Sequence, residues 1–123
     1  MANAATIIDT YLAAYGEAGD DRRRSLIETC FTPDAMLADP PFEASGHDGL
    51  HATFGAVLGH YPGHTFRRTS GIDEHHSCAR FCWEFVAPDG TVAFAGTDFV
   101  RFDTDGLIIA VVGFFGPLPS RDD

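Results

Sequence analysis

The order of the hydrophobic patterns along the chain is the feature that most constrains its fold. Helix-period patterns occupy roughly the first sixty residues, and the hydrophobic segments after them alternate as strands do. Four strand-like segments follow, which read HTFRRTSGID, SCARFCWEFV, TVAFAGTDFVRF and LIIAVVGFF, and they are separated by the turn sequences DEHH, PDG and DTDG. Strands joined by such short turns pair antiparallel. The chain is therefore predicted to be α+β, with helices packed on an antiparallel sheet.

Three helices are predicted before the strands. An apolar stripe marks the first helix, which is expected to end at Gly19. The second is expected to be capped by Asp20 or Asp21 and to stop at Pro33, and an extended piece, AMLADPP, follows it. The third is expected to begin at Ser45, which has capping-box spacing to Asp48, and to end at YPG. The stripe of the first helix consists of Ile7, Ile8, Tyr11, Leu12 and Tyr15.

Length and charge exclude several classes of protein. The 123 residues predict one domain spanning 1–123, and the net charge of −10 argues against a nucleic-acid partner. Acidic residues flank the basic cluster Arg22–Arg24, which is interpreted as a solvated helix face. The sequence shows no membrane span or signal peptide, and its cysteines, Cys30, Cys78 and Cys82, are an odd set typical of free thiols. We expect a cytoplasmic protein.

Asp98 lies in the middle of the strand-like segment TVAFAGTDFVRF. Strand alternation places it on the apolar face, together with Val92, Phe94, Gly96, Val100 and Phe102. A carboxylate on a buried face is costly unless it is protonated or has a partner. Asp98 is thus either a functional acid or a structural carboxylate held by neighbouring donors. A bulge at Gly96 would instead turn it to solvent.

The last strand-like segment is apolar on both faces, which indicates that both faces are covered. Three helices cover one face of a curved sheet, so we expect a second subunit on the other. The sequence predicts a homodimer.

His47 and His51 have the i, i+4 spacing used by zinc sites, but no third ligand follows at a suitable spacing. We expect neither a metal nor another cofactor.

Four motifs, YLAAYGEAGD, CFTPDAMLADP, AGTDFVRFDTDG and VVGFFG, occur in the order typical of the nuclear transport factor 2-like superfamily. The chain resembles its SnoaL-like and ketosteroid isomerase-like branch from about Ile7 to Pro117. This resemblance implies a cone-shaped barrel, in which three helices close a bent sheet around an apolar pocket, and it implies dimers. We expect Tyr15, Phe54, Leu58, Phe81, Trp83, Val112 and Phe115 to line the pocket.

The resemblance also implies three catalytic residues. Tyr11 and Asp98 match the isomerase's oxyanion donors, and Asp39 matches its general base. In ketosteroid isomerase, the donor aspartic acid stays neutral and so can donate a hydrogen bond. SnoaL-like cyclases resemble the chain through the same strand aspartate. Taken singly, Tyr11 could be a core residue and Asp39 an ordinary turn residue before proline.

The function expected from these residues is binding of a small hydrophobic molecule, with isomerisation or aldol-type cyclisation through an enolate. Two alternatives stay open, namely a non-catalytic protein with the same pocket and a protein-interaction module of the same fold.

Overall fold

The computed structural model of the chain describes residues 3–122 as three helices and seven strands. The helices are α1 (Ala4–Tyr15), α2 (Asp20–Cys30) and α3 (Gly46–His60). The strands are β1 (Phe31–Asp39), β2 (Phe42–Ser45), β3 (Thr65–Arg68), β4 (Asp73–His75), β5 (Cys78–Val86), β6 (Val92–Phe102) and β7 (Ile108–Phe115). Helices packed against one sheet confirm the predicted α+β cone.

One sheet contains all the strands in the order β2-β1-β7-β6-β5-β3, with β4 also paired to β5. The strands pair antiparallel as predicted, except that β1 runs parallel to β7. This parallel pair joins strands from the two halves of the chain, which no local pattern predicts. It places Ala38 level with Val112, so the next residue, Asp39, comes level with Gly113.

The helices cover the inner, concave face of the sheet. The core between them is almost entirely apolar and includes Ile8, Leu37, Phe54 and Val111. Burying side chains of this kind stabilises the fold by about 1.5–3 kcal/mol each. The inner face of β6 remains in register at Gly96, so no bulge turns Asp98 to solvent.

Several local expectations are wrong. The segment DEHH was expected to be a turn, but Asp73–His75 forms β4, and the turn lies at His76 and Ser77, which have φ values of 49° and 61°. Helix α1 already ends at Tyr15, where the amide of Gly16 caps it. The Ser45 side chain makes no capping hydrogen bond to α3.

The basic cluster is only partly a solvated face, because Arg23 is 4 % exposed. Its guanidinium donates to the carbonyls of Glu17 and Ala18 and to Asp20. It packs against Gly55 of α3, where a Cβ would lie 3.1 Å from Nη1. Arg23 therefore ties the α1–α2 loop to the third helix.

Two further findings concern possible membrane spans and metal sites in the part of the chain that the structure describes. Every helix within residues 3–122 is too short or too polar to cross a lipid bilayer. In the same residues, no three His, Cys, Asp or Glu side chains are grouped so that they could hold a metal ion.

Candidate functional site

A cavity of about 430 Å³ opens at the wide end of the cone, between the inner face of the sheet and the end of α3. This volume is in the range that small-molecule sites occupy. Its walls are mainly aromatic. The lining residues are Tyr15, Asp39, Pro40, Pro41, Phe42, Val57, His60, Tyr61, Phe66, Trp83, Phe85, Phe94 and Phe115.

Asp39 is the one carboxylate in this wall. It is the last residue of β1, and strand alternation turns it inward together with Leu37. The Tyr15 hydroxyl donates to Oδ2 at 3.0 Å, whereas the buried Oδ1 has no hydrogen-bond partner. Burial raises the pKa of the Asp39 carboxyl, and the Tyr15 hydrogen bond opposes that rise. Asp39 therefore has one buried oxygen without a hydrogen-bond partner.

Asp98 lies deeper, on the inner face of β6, and is 2 % exposed. The Tyr11 hydroxyl donates to Oδ2 at 2.8 Å, and the Trp83 indole Nε1 donates to Oδ1 at 3.0 Å. Burial raises the pKa of Asp98 to about 7, and the neighbouring Asp39 adds to the rise. The hydrogen bonds from Tyr11 and Trp83 oppose it because they stabilise the charged form.

Gly113 brings the two carboxyl groups together. It pairs with Asp98 across β6 and β7 and lies beside Asp39 on the other side. A Cβ at position 113 would overlap Asp39 Oδ1 and would lie 2.9 Å from Asp98 Oδ1. The two carboxyl groups thus face the same small space, which is open only because residue 113 has no side chain.

Both tyrosines act as donors to these carboxyl groups. Burial raises the pKa of Tyr11 and of Tyr15, and the nearby carboxylates raise each of them further. The two hydroxyls therefore keep their protons near neutrality, and each can hold a carboxylate in place.

The structure brings the three predicted catalytic residues into one buried cluster but does not give them equal access to the cavity. Asp39 lines it. Tyr11 and Asp98 are 1 % and 2 % exposed, lie behind the wall and bond to each other. Neither of them points a free polar atom into the cavity, as the expected oxyanion donors would.

Three of the seven residues expected to line a pocket line this cavity, namely Tyr15, Trp83 and Phe115. The other four lie elsewhere. Phe54, Leu58 and Phe81 are buried in the core and do not line the cavity. Val112 alternates with Gly113 and so lies on the outer face, 39 % exposed.

Sequence reasoning missed several lining residues. Phe94 shares a strand face with Asp98, so the alternation that placed Asp98 inward could also have found Phe94. Phe66 and Tyr61 follow the third helix closely, and no pattern in the sequence distinguishes them from core residues. No pattern in the sequence marks Gly113, because its importance depends on the parallel pairing of β1 with β7.

The profile of the SnoaL-like domain matches residues 9–111, which is most of the chain. The chain belongs to the SnoaL-like domain family. No curated protein matches it.

A solved structure supports the family assignment. The chain is 35 % identical to a proposed isomerase of the SnoaL-like family from Agrobacterium tumefaciens, with a TM-score of 0.86. The alignment covers 92 % of this chain and 97 % of that one.

Two more distant structures share the fold alone. A proposed polyketide cyclase from Sinorhizobium meliloti is 14 % identical with a TM-score of 0.70, over 92 % of this chain and 100 % of that one. A ketosteroid isomerase-like fold protein from Catenulispora acidiphila, solved with trimethylamine, is 11 % identical with a TM-score of 0.72, over 89 % and 85 % of the two chains.

Proposed function

We propose that this SnoaL-like protein binds a small hydrophobic molecule in the aromatic cavity and moves a proton on it, with Asp39 as the general base. The observation that carries the proposal is the Oδ1 atom of Asp39, which is buried in the cavity wall and has no partner. Buried polar atoms nearly always have partners, so an orphan oxygen on a carboxyl group that lines a cavity supports the binding of a ligand beside that group.

The reaction is proton transfer next to a carbonyl group. Asp39 takes a proton from the carbon beside the carbonyl, and the C–H electron pair moves into the enolate. Return of that proton to a different carbon gives an isomer. Attack of the enolate carbon on a second carbonyl group, followed by protonation of the new alkoxide, gives a ring. The names carried by the Agrobacterium and Sinorhizobium structures agree with these two outcomes.

Tyr11 and Asp98 are assigned a positioning role in this proposal. They do not line the cavity, so the groups available to a developing oxyanion are the Tyr61 hydroxyl and the His60 ring. Asp98 acts through the space at Gly113, where the hydrogen bonds from Tyr11 and Trp83 hold its carboxyl group beside that of Asp39.

Hydrogen–deuterium exchange at an acidic carbon tests the proposal. In D2O, the protein should accelerate loss of the C1 protons of 2-tetralone, an aromatic ketone, as followed by proton NMR. Asp39→Asn should lower the protein-dependent rate by about 100-fold or more, because general base catalysis typically contributes this much.

The matched control is the exposed Asp105→Asn, which removes the same charge far from the cavity. An Asp39→Asn variant as fast as the wild type would refute the assignment of the base. If 2-tetralone shifts the fluorescence of Trp83 without any exchange, the result would favour the alternative of a non-catalytic binding protein.

We also propose that a second copy of the chain covers the outer face of the sheet. That face exposes a group of large apolar side chains, which are Met36, Phe99, Val112 and Phe114. Sedimentation at micromolar concentration should give about twice the mass of one chain, since a specific interface of standard size is stable there. Phe114→Glu should give the single-chain mass, and a monomeric wild type would contradict the proposal.

A further inference from the structure

A continuous set of aromatic side chains forms much of the wall of the cavity. Eight of its thirteen lining residues are aromatic. The ring centroids of successive members lie between 4.4 and 5.8 Å apart, within the usual range for aromatic pairs. In order of contact, the members of this aromatic wall are Phe66, Trp83, Phe115, Phe94, Tyr61 and Phe85.

The carboxyl groups at this cavity have no cationic partner among the described residues. Asp39 accepts from Tyr15, and Asp98 accepts from Tyr11 and Trp83, all of which are neutral donors. The sequence contains no lysine. No arginine among residues 3–122 lines the cavity, and His60 is the one lining residue there that can carry a positive charge.

The aromatic wall and the carboxyl group without a cationic partner both favour a positively charged ligand. Aromatic faces carry negative electrostatic potential and bind alkylammonium groups, most strongly where water is excluded. A buried carboxylate is costly unless it is protonated, paired with a cation or fully hydrogen-bonded, and Asp39 has one oxygen without a partner. The chain as a whole is also acidic, with a net charge of −10, so its field attracts cations and repels anions.

We propose that the ligand of this cavity carries an organic cation, a substituted ammonium group, which lies against the aromatic wall and beside the carboxyl group of Asp39. The inference rests on the part of the proposed function that makes the cavity a small-molecule site, and it does not require that Asp39 be a base. The ligand class is a hydrophobic amine or quaternary ammonium compound.

A cationic ligand would also help the proposed chemistry. A base must be ionised before it can accept a proton, and burial of Asp39 favours its neutral form. An ammonium group beside the carboxyl reverses that preference and makes a neighbouring C–H bond more acidic. The substrate would thereby ionise its own base on binding.

A pair of ligands of the same shape tests the inference. Phenyltrimethylammonium and tert-butylbenzene differ in charge but hardly in size, and Trp83, the single tryptophan, lines the cavity and reports binding by fluorescence. An ordinary apolar cavity would bind the neutral compound more tightly, because it is the more hydrophobic of the two. We expect the cation to bind the wild type about tenfold more tightly or better.

Two variants separate the sources of this preference. Asp39→Asn should weaken cation binding about tenfold and leave tert-butylbenzene binding unchanged, since only the charge is lost. Phe115→Leu removes one aromatic face but keeps an apolar side chain, so it should weaken cation binding by roughly two- to fivefold and spare the neutral ligand. Melting temperatures would show that both variants are folded.

The possible outcomes distinguish the two proposals. If tert-butylbenzene binds as tightly as the cation, or if Asp39→Asn keeps the preference, the cation inference is wrong, while the small-molecule site stands. If neither compound binds up to its solubility, both proposals fail. Cation binding without proton exchange on any ketone would support the inference and reject the base.

Discussion

The two buried aspartates face the same space, yet their surroundings differ. Asp98 lies behind the cavity wall and accepts one hydrogen bond on each oxygen. Asp39 lies in the wall, accepts a single hydrogen bond and leaves its other oxygen free. A carboxyl group whose two oxygens both accept hydrogen bonds is suited to a structural or positioning role. A carboxyl group with an unpartnered oxygen is suited to contact with a ligand. Burial is therefore similar for the positioning residue and the binding residue, and the number of carboxyl oxygens that accept a hydrogen bond distinguishes them.

The largest expected effect is the pH dependence that Asp98 gives to stability. Its folded pKa, about 7, lies above the ordinary value of 3.8, so the folded state keeps a proton that the unfolded chain releases. The stability contribution is present below the unfolded pKa and is lost as pH rises through the folded one. At about 1.4 kcal/mol per pKa unit, the wild type should lose roughly 2–4 kcal/mol between pH 4 and pH 7.

Asp98→Asn cannot ionise, so this loss should be absent from it, and its stability at pH 7 should equal or exceed that of the wild type. Thermal and urea melts of both proteins across this pH range measure the difference, with the exposed Asp105→Asn as the control for overall charge. A clear loss of stability in Asp98→Asn at pH 7 would mean that Asp98 is held as an ionised acceptor.

The second prediction concerns Gly113, where the two aspartates meet. Gly113→Ala should lower the free energy of unfolding by roughly 1–3 kcal/mol, because the new Cβ would overlap Asp39 Oδ1. Much of this cost should disappear in the Asp39→Ala background, in which the overlapping carboxyl group is gone. Urea melts of the two single variants and the double variant give the coupling energy. Additive costs would show that the two residues do not compete for this space.

Much of the fold was predictable because its information is local. Apolar spacing placed Tyr11 and Tyr15 on the buried stripe of one helix, and alternation placed Asp98 on the inner face of its strand. Both statements depend only on the repeat of the local backbone. The resemblance to a known family then supplied the cone and its pocket.

The site was less predictable, because it depends on depth and on long-range pairing. Phe54 and Phe94 both follow apolar patterns, but the first is buried in the core and the second lines the cavity. The spacing of apolar residues along the sequence does not distinguish a core residue from one that lines the cavity. The approach of Asp39 to Asp98 depends on a parallel pair between β1 and β7, whose strands are far apart in the sequence.

The smallest expected effect is the difference in stability between variants that lack one or the other tyrosine hydroxyl. Tyr11→Phe removes a donor from Asp98, which is behind the wall and out of reach of solvent, whereas Tyr15→Phe removes a donor from Asp39 at the cavity. Water in the cavity can replace the second hydrogen bond but not the first. We expect Tyr11→Phe to cost about 1–2 kcal/mol and Tyr15→Phe about 0.5–1 kcal/mol at pH 8, as measured by urea unfolding.

The difference between these two variants should shrink at pH 4, because hydrogen bonds to a neutral carboxyl group are weaker than those to a carboxylate. Equal costs at pH 8 would show that Asp39 is as closed to water as Asp98. That result would remove the distinction between the two aspartates, and with it the reason to assign ligand binding to Asp39 alone. A larger cost for Tyr15→Phe would reverse the assignment, because the cavity would then depend on a fixed Asp39 that no water or ligand reaches.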